Sequence, residues 1–213
     1  MLTAADAQTH KSTREKIIDT AEGMMAQQGI DAVSVNEIIK QSGQRNASAL
    51  QYHFGNKAGL VQAIFDKHTP AIEAHRKVLL AQMSSETDFQ GLVRAVVLPL
   101  INALDNNNGG RNYLRFLSRM CQHDLQPNSF FDSRHNDAIT EVIALLSRCF
   151  PGVSAQVLEY RVVMARNLIL HSLADLCCSL DQAPACQVEQ TQIFTDTLIA
   201  SITAIFHAEA VES

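Results

Sequence analysis

Residues 34–57 read SVNEIIKQSGQRNASALQYHFGNK. Ser34 followed three positions later by Glu37 is a capping box, placed ahead of the apolar stripe Val35, Ile38 and Ile39. Val33, just outside the cap, can staple onto Ile38. Gly43 closes this helix, which ends near Ser42. A second short helix is predicted from about Asn46 to Phe54, with Ala47, Leu50 and Phe54 turned inward. Gly55-Asn56 breaks it, and Asn56 can cap the helix that follows. Two short helices joined by a tight glycine turn form a helix-turn-helix. Its second helix is pinned from behind by Leu50 and Phe54, which leaves a polar face of Arg45, Asn46, Ser48, Gln51, Tyr52 and His53. Such side chains suit phosphates and base edges: Arg pairs with guanine, Asn and Gln with adenine.

Working outward, the preceding segment begins at Ser12 or Thr13, where Ser12 and Glu15 form another capping box. Ile17, Ile18, Ala21, Met24 and Met25 follow at helical spacing, and Gly29 ends the run. After Asn56, Leu60, Val61, Ile64 and Phe65 share one face of a fourth helix. Pro70 is expected to kink it, with the helix resuming to about Met83; the alternative is a fresh start with Thr69 as cap. Five more helices are predicted at roughly 88–106, 111–123, 129–149, 154–180 and 186–208, the first bent at Pro99. The last two are apolar on more than one side, so one side needs a partner. That implies a homodimer seam of two helices per subunit, near 154–180 and 186–208. The fold class is therefore all-α: a helix-turn-helix head over residues 1–56 on a larger helical body over 57–213.

Bulk properties bound the function. The 213 residues are 46% hydrophobic and 18% charged, ample for a buried core and low for a disordered chain. The net charge of −5 supplies no global attraction to nucleic acid. Through residue 60, six basic residues (Lys11, Arg14, Lys16, Lys40, Arg45, Lys57) balance six acidic ones, so a DNA face must be local. The first 11 residues lack the apolar stretch of a secretory signal, and no run of about 18 apolar residues suggests a membrane span. A cytoplasmic protein is expected.

The segment from about Ser12 to Phe65 resembles the DNA-binding domain of the TetR family of transcriptional regulators. The resemblance rests on the leading apolar helix, Gly29-Ile30, Ser34-Val35 with Glu37-Ile38, Gly43, and Leu50-Gln51-Tyr52-His53-Phe54 followed by Lys57. The chain departs from the family's pattern in a turn one residue longer after Gly43, in the bulky Ile39, and in Gln51 where an aromatic is usual. The resemblance implies that Ser34, Tyr52, His53 and Lys57 meet the backbone of double-stranded operator DNA, while Arg45, Asn46, Ser48 and Gln51 read bases. It further implies a dimeric repressor released by a small-molecule effector bound in the body.

Polar residues stranded in the apolar helices are the effector-site candidates: Tyr113, Arg115, Arg119, His123, Arg166, Asn167 and His171. Arg161 and Arg166 could equally serve the dimer seam. Cys177, Cys178 and Cys186 lack zinc-site spacing and read as buried structural thiols. No catalytic constellation, metal site or cofactor motif is expected. A helical adaptor that binds protein, or an all-helical enzyme, remains an alternative by class.

Overall fold

The computed structural model describes residues 11–44, 48–104, 109–123, 137–182 and 187–209. Among them are nine α-helices and no strand: α1 (Thr13–Gln28), α2 (Val35–Gln41), α3 (Ser48–Phe54), α4 (Lys57–Ala81), α5 (Phe89–Ala103), α6 (Gly110–His123), α7 (Asp137–Cys149), α8 (Ala155–Gln182) and α9 (Gln187–His207).

Both capping boxes form. Ser12 and Ser34 each accept from the backbone N–H three residues on, and Glu15 and Glu37 accept from the cap N–H. A serine cap of this kind contributes about 1 kcal/mol to a helix end. Gly43 takes φ 75°, a left-handed turn that any Cβ would strain, and it sends the chain from α2 towards α3. Asn56 caps α4 through its Oδ1, which accepts from the Gly59 N–H at 2.9 Å.

The head core is made by Ile17, Ala21 and Met25 of α1, Val33 before α2, Ile38, Leu50 of α3, and Leu60 and Ile64 of α4. All are buried, most of them fully. One side chain of this size, fully buried, contributes roughly 1.5–3 kcal/mol. The same apolar cluster continues without a break into α5, α6, α8 and α9, so head and body share one core. α6 lies between α1 and α8, while α4 packs along α5 and α9 packs on α5 and α8.

α4 runs unbroken through Pro70, so Thr69 caps no new helix; its hydroxyl is buried against Tyr113 Oη at 3.2 Å. Pro99 also sits inside a continuous helix. The predicted start of the helix over 129–149 lies partly outside the described residues. Over 18 residues α8 is long and apolar enough to cross a membrane, by length and composition only. It packs instead on α6 and α9, with Arg161 and Arg166 buried along it. Arg161 serves the fold within the chain: its guanidinium donates to the carbonyls of Phe206 and Ala208 and closes the end of α9. Cys177 is buried and burial pushes its thiol up to about 11, whereas Cys178 is exposed. Neighbouring residues on a helix point about 100° apart, so the two thiols cannot share a buried environment. Cys186 lies outside the described residues.

Candidate nucleic-acid face and body cavity

The face of α3 is set by its anchors. Leu50 is 3% exposed and Phe54 is half-buried, which turns Gln51 and Tyr52 to solvent; Tyr52 is 86% exposed. An aromatic that exposed contributes nothing to the core and is free to meet a partner. His53 is half-buried with its ring edge-on to Tyr52, and the Arg14 guanidinium lies over the Phe54 ring at 5.4 Å. Ser48 is exposed at the start of α3, while Arg45 and Asn46 lie outside the described residues. Ser34 is exposed, with its hydroxyl engaged by Glu37. Lys57 has a partner that sequence reasoning missed: its Nζ donates to the Val33 carbonyl at 2.6 Å, tying the start of α4 to the turn before α2. Ser34 and Lys57, 23 positions apart, are thereby brought to one edge of the head.

The body holds a partly open cavity of about 180 Å³ between α4, α5, α6, α7, α8 and α9. Its walls are nearly all aliphatic or aromatic, such as Phe65, Val96, Leu100, Leu146 and Phe206. Of the sequence-predicted effector residues, Tyr113 and Arg166 line it. Arg115 turns away to Asp181, which it shares with Arg111; Arg119 is exposed and reaches the Gln27 carbonyl; His171 bonds Ser118 at 2.7 Å. Those three and the half-buried Asn167 are not among the wall residues, and the side chain of His123 lies outside what is described.

Three polar wall residues come from α4: Thr69, Glu73 and Arg76. Glu73 and Arg76 form an ion pair, both about 5% exposed. The other Glu73 oxygen accepts from the Ala138 N–H at the start of α7, and Arg76 Nε donates to the Ala95 carbonyl. Burial pushes Arg76 down to about 10, which still leaves it cationic at neutral pH. The signal for these residues was present but weak: 69, 73 and 76 fall on the same helical stripe as Phe65 and Ile72.

One route from cavity to head runs through Tyr113. Tyr113, fully buried, stacks on His68 with ring centroids 4.3 Å apart. Burial pushes its phenol well above the usual range, so it stays neutral. His68 Nε2 lies 3.1 Å from both carboxylate oxygens of Glu22, which is 1% exposed on α1. Lys67 Nζ bridges Glu22 at 2.8 Å and Asp19 at 2.7 Å. Burial alone would raise the Asp19 carboxyl, but hydrogen bonds from Lys11 and Lys67 outweigh it and hold it below the usual range. Burial would lower Lys67, and its bonds to Asp19 and Glu22 hold it above the usual range instead.

Residues 94–204 match the family described as "Tetracyclin repressor-like, C-terminal domain", and residues 17–64 match "Bacterial regulatory proteins, tetR family". The chain is 30% identical over 113 residues to the HTH-type transcriptional regulator TtgR of Pseudomonas putida. That alignment covers 53% of this chain and 52% of TtgR, so the chain spans about half the length of this curated relative. A crystal structure of a tetR family transcription regulator from Shewanella sp. PV-4 superposes with a TM-score of 0.52 at 15% identity, covering 90% of this chain and 96% of that one. This second likeness concerns the fold.

Proposed function

This chain belongs to the TetR family of bacterial regulatory proteins, and from that premise we propose that it is a cytoplasmic, dimeric transcriptional repressor that leaves its operator when a small molecule fills the body cavity. The observation that carries the reading is the pinning of α3: Leu50 buried behind it, Gln51 and Tyr52 exposed in front. A short helix held this way can lie in a major groove and read base edges. Tyr52 and His53 then meet phosphates beside Gln51, and Lys57 contributes its charge at the N-terminus of α4, where the helix dipole adds to it.

The second subunit is supplied by α8 and α9. Tyr160 and Met164 of α8 and Val188 and Ile193 of α9 are large apolar residues more than half exposed. A groove between these helices, lined by Leu168, Leu176 and Phe194 among others, gives a copy of the same surface something to fill. Release follows from linkage: a ligand that favours one placement of α4 and α6 acts on α1 through Tyr113, His68 and Glu22.

A mobility-shift assay on operator fragments selected from random duplex DNA tests the reading. The wild type should select a two-fold-symmetric site. Tyr52→Ala should weaken binding to it at least roughly tenfold, with the helical spectrum unchanged. Equal retardation of selected and unselected DNA, or full affinity in the variant, ends the proposal.

A further inference from the structure

We propose that the effector is a small, electrically neutral and largely hydrocarbon molecule, of single-aromatic-ring size, whose one polar group meets the hydroxyl pair of Thr69 and Tyr113. The inference rests on the reading of the cavity as the effector site and narrows it to a ligand class.

Size comes first. A dry cavity of about 150 Å³ lined by Leu, Ile and Phe takes up benzene. The cavity here, about 180 Å³ with walls of the same kind, fits a guest of roughly six to ten non-hydrogen atoms.

Charge comes second. The buried charges of the α4 wall are already satisfied inside the protein. Glu73 divides its two oxygens between Arg76 and the Ala138 N–H, and Arg76 gives its Nε to the Ala95 carbonyl. Arg166 has an interaction of its own as well, although its Nε is buried with no hydrogen-bond partner. A carboxylate or ammonium guest would shed its water for an apolar wall that offers it, among the described residues, no more than the one Nε–H of Arg166, which disfavours it. Glu73 and Arg76 act as construction, joining α4 to α5 and α7.

The polar contact comes third. Thr69 Oγ1 and Tyr113 Oη are 3.2 Å apart, buried, and both belong to the wall. Their bond is neutral, and burial keeps the phenol protonated. A guest hydroxyl or carbonyl can insert here, accepting from one oxygen and, if it carries a proton, donating to the other. This is also where Tyr113 stacks on His68, so the polar end of the guest lies against the one ring that touches the head's buried carboxylate partner.

Three probes separate the alternatives on the full chain: ethylbenzene, 4-ethylphenol and benzoate, titrated calorimetrically and by ligand-observed NMR, with thermal melting alongside. Ethylbenzene and 4-ethylphenol should each bind once per subunit and raise the melting temperature, and benzoate should bind at least about tenfold more weakly. Ala165→Leu, which pushes a larger side chain into the cavity wall, should remove binding of both neutral probes. Thr69→Val keeps the shape and deletes the hydroxyl, so it should weaken 4-ethylphenol about five- to tenfold relative to ethylbenzene. Benzoate binding as tightly as the neutral probes, absence of saturable binding by either neutral probe, or unchanged binding in an Ala165→Leu protein of native helicity would each overturn the proposal. The operator assay is run separately on unliganded protein. Its failure would remove the repressor reading and leave the ligand class standing, and the converse holds equally.

Discussion

The head and the body are built from the same kind of helix and filled in opposite ways. In the head, α1, α2, α3 and the start of α4 close on Ile17, Met25, Ile38, Leu50 and Ile64, an apolar centre whose largest side chains are buried on all sides. In the body, six helices stop short of one another, leave about 180 Å³ between them, and bury the Glu73–Arg76 pair beside the gap. A full apolar centre yields a stiff unit that presents one outer face. A gap held open by an internal ion pair yields a unit whose energy depends on what occupies it.

The strongest test of that contrast is the ion pair. Glu73→Ala should cost about 3–5 kcal/mol, because Arg76 would be left buried without its counter-charge. The double change Glu73→Leu with Arg76→Met should recover most of that loss. Chemical denaturation measures both, and a single-variant loss below about 1 kcal/mol would mean that water already reaches the pair.

Next in size is a matched pair of truncations. Ile38→Ala in the head should cost about 2–5 kcal/mol. Ile143→Ala on the half-buried cavity wall should cost roughly 1 kcal/mol, since that side chain already lacks neighbours on one side. Equal losses would erase the distinction between a filled and an unfilled unit.

The smallest effect sits where the two units join. Asp19 has its folded-state pKa below the unfolded value, so its contribution to stability is present above about pH 4 and fades as pH falls through the folded pKa. Asp19→Asn should be less stable than wild type at neutral pH, and the gap should shrink steadily below about pH 4. Lys67 has the opposite sign: its contribution is complete below its ordinary pKa and is lost as pH rises through its raised folded value. Melting curves across the pH range read both ends. A gap that persists unchanged at about pH 2 would show that Asp19 acts through something other than its charge.

The same contrast explains what the sequence disclosed. Both capping boxes, the Gly43 turn and the Asn56 cap depend on residues within four positions of one another, so local chemistry dictates them. The outward face of α3 follows once Leu50 is recognised as an anchor. The cavity depends on six helices meeting, and no local rule places Glu73, Arg76 or Phe206 on a common wall. Arg115 and His171 looked like stranded polar groups because Asp181 and Ser118, which satisfy them, are 66 and 53 positions away. Lys57 carried a second role for the same reason: the Val33 carbonyl it holds is 24 positions upstream.

Gly109, the residue ahead of α6, takes φ 90°, and a Cβ there would come within 3.1 Å of a Glu22 oxygen and 3.3 Å of Lys67 Nζ. Gly109 is thus also a bearing surface for the head, with no room for a washer there. A side chain added at Gly109 would transmit a push to α1 with no guest in the cavity, so the tolerance that surface positions usually have for substitution should stop at this corner.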